Sequence, residues 1–279
     1  MGFQKCAEMG ADAVELDVFL LKCGNLIVFH GAGGDKNPGH LLEYCGVEGS
    51  ILDLTYEEAL QLSFDPNSTE FPCPEGRILA GSIPTLEQVL LDAKESGLHL
   101  KIELKGPGTV EPTLDLVDRL DMVAQCSFSS FDLERIALVR NLRPQRCPIR
   151  GEHIYKTGAL FDDLPDNFIE QATAVDADEI HVRYDSCSLP VIDSIHEAGF
   201  GSMAWLRGPI GMNDDCMEKF WDVGNEDESM FKALLQTGVQ QLCVNRPDTL
   251  VSLRSNLEKE SHHVLEEITN DFAKILSVA

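Results

Sequence analysis

The chain has 279 residues, 47 acidic and 22 basic, for a formal net charge of −25. So acidic a surface excludes non-specific nucleic-acid binding, which needs a basic stripe to displace phosphate counterions, and argues equally against docking on anionic lipid. A chain of this size buries about three quarters of its unfolded surface, so it needs no disulfide or structural metal to hold a core.

Phe3–Met9 reads as the last turns of an amphipathic helix, ended by Gly10. Ala13–Leu20 and Leu26–His30 are strand-like runs joined through Gly24-Asn25, residues that a hairpin turn accepts. From Gly31 to Gly81 the pattern weakens into a long loop with one short helix, Thr55–Leu60, where Thr55 and Glu58 are spaced as a capping box. A stretch of this kind in a compact domain reads as a functional lid. A helix over Pro84–Lys94, stopped by Gly97, precedes a strand over Leu98–Leu104.

Helix and strand then alternate. Helices are expected at Thr113–Leu120, Leu133–Asn141, Asn167–Val175, Pro190–Ala198 and Met230–Gln236. Strands are expected at Cys126–Ser129, Thr157–Phe161, Glu179–Val182, Gly201–Leu206 and Leu242–Asn245. Repeated βα units this short imply parallel strands with crossover helices, and the length suits a single α/β barrel. A polar insertion at Gly208–Asp227 interrupts the last unit but one. A final helix from Thr249 to about Ser277 carries Leu257, Val264, Leu265, Ile268, Phe272, Ile275 and Leu276 as one apolar stripe, read as packing under the barrel. The expected division is a barrel domain over 1–253 and a helical extension over 254–279.

No apolar run approaches the ~20 residues of a membrane span. The nine cysteines are scattered with no Cys-x-x-Cys pair, as expected of reduced thiols in a cytoplasmic protein. Met1–Lys5 lacks the charged-then-apolar pattern of a signal peptide.

Glu15 and Asp17 stand two apart on one strand, so both side chains take the same face with Cα atoms about 6–7 Å apart. At an effective dielectric near 20 the two charges repel by roughly 2.5 kcal/mol. The conflict grows if Glu103, near the end of the strand from Leu98, faces the same space. A divalent cation removes it, and an all-oxygen ligand set suits Mg²⁺ or Ca²⁺ better than zinc. The plain alternative is a pair facing solvent. Against it, Val14, Leu16 and Val18 flank the acids as in a barrel strand whose other face is covered by helices. Lys101, Glu103 and Lys105 alternate, so Lys105 either contacts a phosphate at the rim or is simply the partner of Glu103. His30 ends an apolar strand beside Gly31-Ala-Gly-Gly34, where its imidazole is open to shuttle protons near neutral pH. A lone histidine is more often structural, but this one accompanies the acids.

The strings Gly10-Ala-Asp-Ala-Val-Glu-Leu-Asp-Val18, Leu26-Ile-Val-Phe-His30, Ile83-Pro-Thr-Leu-Glu-Gln-Val-Leu90 and Lys101-Ile-Glu-Leu-Lys105 together resemble the glycerophosphodiester phosphodiesterase family. Asp53–Leu60, Ser129-Ser-Phe-Asp132, Ala204-Trp205 and Asn245-Arg-Pro-Asp248 echo it further, in the family's order. The resemblance implies a (β/α) TIM-type barrel with its site at the C-terminal rim. It implies metal ligation by Glu15, Asp17 and Glu103, one of two catalytic histidines at His30, a phosphate contact at Lys105 and an aromatic wall at Trp205. The implied activity is metal-dependent hydrolysis of a small-molecule phosphodiester to glycerol 3-phosphate and an alcohol. The oligomeric state stays open.

The sequence departs from the family in instructive places. The family's opening strand ending in His-Arg-Gly and its Glu-Asn-Thr loop have no counterpart here, so the barrel is expected to lack its first strand. The chain is read as an incomplete version of a full enzyme whose turnover is impaired. Trp205-Leu-Arg-Gly208 replaces Trp-Thr-Val-Asn, which puts Arg207 at a substrate contact or removes that contact. His30-Gly31 replaces His-Asp, and Val244-Asn245-Arg-Pro247 replaces Thr-Asp-Arg-Pro. His153 and His181 lie in the wrong context to replace the missing histidine; His181, at a strand end, is placed where a side chain can reach the pocket, but a structural role is the expectation. Two other readings stand: a lysophospholipase D-type phosphodiesterase, and a non-catalytic scaffold on a truncated barrel.

Overall fold

The computed structural model describes residues 2–30, 39–62, 83–206 and 226–259. Helix α1 (Gly2–Met9) ends at Gly10, where a φ of 90° is open to glycine and strained for other residues. Strand β1 (Ala13–Leu20) turns through Gly24 into the antiparallel β2 (Leu26–Val28). Two short helices follow, α2 (Leu42–Cys45) and α3 (Tyr56–Ala59), and then α4 (Leu86–Ser96) and β3 (His99–Leu104). Both α3 and α4 begin with a capping box, Thr55 with Glu58 and Thr85 with Gln88.

The βα alternation continues as α5 (Val110–Arg119), β4 (Cys126–Ser130), α6 (Leu133–Leu142), β5 (Lys156–Phe161) and α7 (Phe168–Ala174). It ends with β6 (Glu179–Arg183), α8 (Leu189–Glu197), β7 (Gly201–Trp205), α9 (Glu228–Leu235) and β8 (Gln241–Cys243). A last helix occupies residues 247–259. Helix α5 starts three residues before the expected Thr113 because Pro112 falls in its first turn, where the missing N–H has no intrahelical partner to lose.

The sheet runs β2-β1-β3-β4-β5-β6-β7-β8, with every pair from β1/β3 onward parallel. It is a curled (β/α) barrel sheet. Among the described residues no strand joins β8 to β1, so the barrel is open at the place of the expected missing first strand.

The apolar core lies outside the sheet, against the helices. Leu16, Val18, Leu100, Ile102, Leu104 and Phe128 pack with Leu90 and Leu114 in one cluster; Ile180, Val182 and Ala204 pack with Ile192, Ile195 and Phe231 in another. Because side chains alternate along a strand, the intervening residues Glu15, Asp17, Lys101, Glu103, Ser127, Ser129, Glu179 and His181 face the lumen. The inside of this barrel is therefore polar.

The expected lid needs correction in part. Residues 39–62 are not a plain loop with one helix but a small folded cap. In it Leu41, Ile51 and Ala59 pack on Phe19, Ile27 and Phe29 as a third apolar cluster, and Ile51 donates its N–H to Gly39 O at 2.8 Å. Residues 31–38 and 63–82 of that loop lie outside the described residues, as do Arg207, the insertion up to residue 225, and the C-terminal stripe from Val264 onward. Of the stripe, Leu257 is described and is 39% exposed, whereas Leu253 on the same helix is buried.

At the opposite, N-terminal end of the barrel, Arg140 is buried and reaches Tyr155 O at 2.5 Å, Asp176 O at 2.6 Å and the Asp178 carboxylate. His153 sits between Asp176 and Asp178, 2.9 Å from each. This network ties α6, β5 and β6 together and is structural, as expected for that face of a barrel.

Candidate active site

The site forms where β1, β2 and β3 end. Register pairs Asp17 with Glu103 on adjacent parallel strands, and Glu15 lies one step below on the same lumen face. Ligand oxygens of Glu15, Asp17 and Glu103 all fall within 4.8 Å of one another. Phe29 N–H donates to Asp17 O at 3.1 Å, which carries the chain beyond β2 to the same rim and brings His30 Nε2 to 3.6 Å from Asp17 Oδ2. His30 is exposed at the mouth.

Lys105 follows β3 immediately, and its Nζ donates to Asp17 Oδ2 at 2.8 Å. Its ion-pair partner is thus Asp17, across the strands, rather than Glu103 on its own strand. With Asp17 in register with Glu103, Asp17 lies diagonally across from Lys105, and the flexible four-carbon stem leaving the end of β3 spans that diagonal.

Charge is distributed unevenly among the three acids. Burial, then the Asp17 charge, pushes Glu15 up to about 8. The same two causes push Glu103 well above the usual carboxylate range. Burial also opposes the charged form of Asp17, but Lys105 and then His30 outweigh it and hold the Asp17 carboxyl below its ordinary value. Burial works against the Lys105 ammonium, and the Asp17 and Glu103 charges more than compensate, so its affinity for the proton is raised. In the cation-free site Asp17 is the carboxylate paired with the ammonium, and both glutamates are shifted toward their protonated forms.

A divalent cation fits this donor set. Asp17 Oδ1 is buried and has no N–H donor among the described residues, so in the cation-free site only the protons of the neighbouring glutamates can face it, and a divalent cation would take their place. The three acids offer oxygen alone, as hard cations such as Mg²⁺ and Ca²⁺ prefer.

Trp205 ends β7 and meets Phe131, just past β4, edge to face, with ring centroids 5.6 Å apart and planes at 85°. The two rings make an aromatic wall across the mouth. Phe131 carried no expected role. The signal for it was its place one residue beyond a strand at the C-terminal rim, where side chains turn toward the opening. Near β8, Asn245 Nδ2 donates to Glu226 Oε1 at 2.5 Å, and Glu226 is buried.

His181 does not reach the mouth. It is buried in the lumen, with Nε2 2.8 Å from Glu179 Oε2, and a Cβ at Gly158 would overlap its ring. Burial lowers its proton affinity despite the Glu179 hydrogen bond. Glu179 also accepts from Lys101 Nζ at 2.8 Å and from Gln241 Nε2 at 2.9 Å. The sequence reading passed over this cluster because its members sit on β3, β6 and β8 and meet only once the sheet curls.

Among the described residues no helix is long and apolar enough to cross a membrane. Residues 1–249 match the glycerophosphoryl diester phosphodiesterase family. A curated glycerophosphodiester phosphodiesterase of Bacillus altitudinis is 31% identical over 268 residues, covering 92% of each chain. An uncharacterised Bacillus subtilis protein, YqiK, is 27% identical over 175 residues; the match spans 59% of this chain and 65% of that protein, just under two thirds of its length. Among solved structures, an Oleispira antarctica phosphodiesterase in complex with the product sn-glycerol-3-phosphate superposes with a TM-score of 0.63 at 19% identity, covering 89% of this chain and 87% of that one.

Proposed function

The chain belongs to the glycerophosphoryl diester phosphodiesterase family, and from that premise we propose that it hydrolyses glycerophosphodiesters to glycerol 3-phosphate and an alcohol with the help of a divalent cation. The observation that carries this reading is the convergence of three carboxylates within 4.8 Å beside Lys105 and His30 at one rim. The product named for the Oleispira phosphodiesterase supports the same substrate class.

Glu15, Asp17 and Glu103 would hold the cation, Mg²⁺ or Ca²⁺, which when bound supplies Lewis-acid polarisation of the phosphoryl oxygens. Lys105 would present its ammonium to a phosphate oxygen and so offset the charge that the diester brings into an acidic site. Hydrolysis adds water to phosphorus and breaks the bond to the alcohol oxygen. One proton leaves the water and another reaches the departing oxygen. His30, open at the mouth and steadied by Asp17, takes one of those proton transfers. Phe131 and Trp205 flank the alcohol side.

In-line displacement needs a second proton-transfer group on the opposite side of phosphorus. Among the described residues, no other histidine contacts the triad. The opening between β8 and β1 is where a further strand would bring one, so we propose that the 279-residue chain turns over slowly. Supplying upstream a strand that ends in His-Arg-Gly should raise glycerophosphodiester hydrolysis, measured as glycerol 3-phosphate released. Glu15→Ala, Glu103→Ala or His30→Asn should then abolish the gain. An extended chain that remains inert, while folded and cation-loaded, would remove the hydrolase reading.

A further inference from the structure

The lumen beneath the site holds a cation that the three acids do not use. Lys101 is the register partner of Glu15 on the neighbouring strand, and both side chains face inward. Neighbouring strands stand about 4.8 Å apart, so a flexible four-carbon stem lets the Lys101 ammonium reach the Glu15 carboxyl. It goes elsewhere. Its Nζ crosses the lumen to Glu179 Oε2 on β6, at 2.8 Å. Glu179 is gripped from two further directions, by His181 Nε2 at 2.8 Å and by Gln241 Nε2 from β8 at 2.9 Å. Gly158 leaves the room that the His181 ring needs.

We propose that Glu179 is a positioning residue that keeps the Lys101 ammonium off the acidic triad, so that the triad presents itself to a divalent cation rather than to an internal lysine. The inference rests on the cation-site reading above and deepens it. Three acids already share one ammonium, that of Lys105. A second one turned onto Glu15 would occupy the same carboxyl oxygens that a doubly charged ion needs and would have to be displaced before the ion could bind. A buried ion pair between two lumen strands is otherwise a poor source of stability, because desolvation offsets most of the attraction. His181 and Gln241 add what the pair lacks, a carboxylate saturated with donors and therefore fixed in place.

Isothermal titration of the full chain with MgCl₂ and with CaCl₂ tests this in wild type, Glu179→Gln, Lys101→Met and the double variant. Glu179→Gln should bind at least tenfold more weakly. Lys101→Met and the double variant should bind within about threefold of wild type, because neither has an ammonium left to misplace. Equal affinity for Glu179→Gln and wild type would overturn the proposal. So would a double variant as weak as Glu179→Gln, which would make the cluster merely structural. Should Glu179→Gln fail to fold, lysine Nζ resonances of the wild-type chain decide the matter, assigned by their loss in Lys101→Met and Lys105→Met. Saturating Mg²⁺ should move the Lys105 signal and leave the Lys101 signal in place; an equal shift of both would overturn the assignment. A wild-type chain that binds neither cation would instead sink the cation site itself.

Discussion

Replacing Glu103 by glutamine should make the cation-free protein more stable and, at the same time, blind to the cation. Two unit charges 4.8 Å apart, the outer limit for the ligand oxygens here, repel by about 3.5 kcal/mol at an effective dielectric near 20. The free protein relieves this by favouring the protonated glutamates, with Glu15 pushed up to about 8 and Glu103 also raised. A carboxyl whose folded pKa is raised costs stability as pH climbs from its unfolded value through its folded one, so the conflict is felt most fully just above pH 8. Glutamine fills the same space and never ionises. Allowing for relaxation and for the nearby Lys105, the gain should be about 1–2 kcal/mol, or about 2–8 °C in melting temperature for a chain of this size. Scanning calorimetry at pH 8.5 in EDTA measures it. In excess Mg²⁺ the wild type should gain about 2.7 kcal/mol when the free ion reaches a hundred times Kd, and Glu103→Gln should gain nothing. A variant that melts below wild type in EDTA, or that keeps the Mg²⁺ shift, would refute the reasoning.

Lys105→Met strands Asp17 in the interior without its ammonium and should destabilise the cation-free chain by about 3–5 kcal/mol; added Mg²⁺ or Ca²⁺ should restore part of that loss in a urea titration. Because Glu15 and Glu103 hold protons that a cation must displace, affinity should rise with pH between 5 and 8. Titrations in two buffers of different ionisation enthalpy should reveal proton release on binding. Trp205→Ala removes one side of the aromatic wall; in the extended, active chain it should raise KM for a glycerophosphodiester about tenfold while leaving the cation affinity unchanged.

Much of this architecture was legible because two strand signals coincide. Ala13–Leu20 was delimited by its alternation and by Gly10 and Gly24 at its ends, and the observed β1 has the same bounds. Placing Glu15 and Asp17 on one face needed only the period of two. Relations between strands were harder. Lys105 pairs with Asp17, 88 residues earlier in the chain, because the register of β1 on β3, which sequence spacing does not disclose, sets the two diagonally across from one another. The cap over residues 39–62 escaped for a different reason. Helices of four residues, α2 and α3, are too short to display an apolar period, and Leu41, Ile51 and Ala59 find one another only on the platform of Phe19, Ile27 and Phe29.

The same geometry explains why the chemistry sits where it does. With Leu16, Val18, Leu100, Ile102 and Leu104 committed to the helices, stability is secured on the outside of the sheet, and the lumen is released from packing duty. Acids that would be intolerable in an ordinary core can then be concentrated there, provided that each level of the lumen settles its own charge. The lower level does so internally, through Lys101, Glu179, His181 and Gln241. The upper level, with three carboxyls and one ammonium, does so only by favouring protons on its glutamates. On the proposed reading, those protons are what a divalent ion would displace at the mouth, where its charge would then be shared with a phosphodiester.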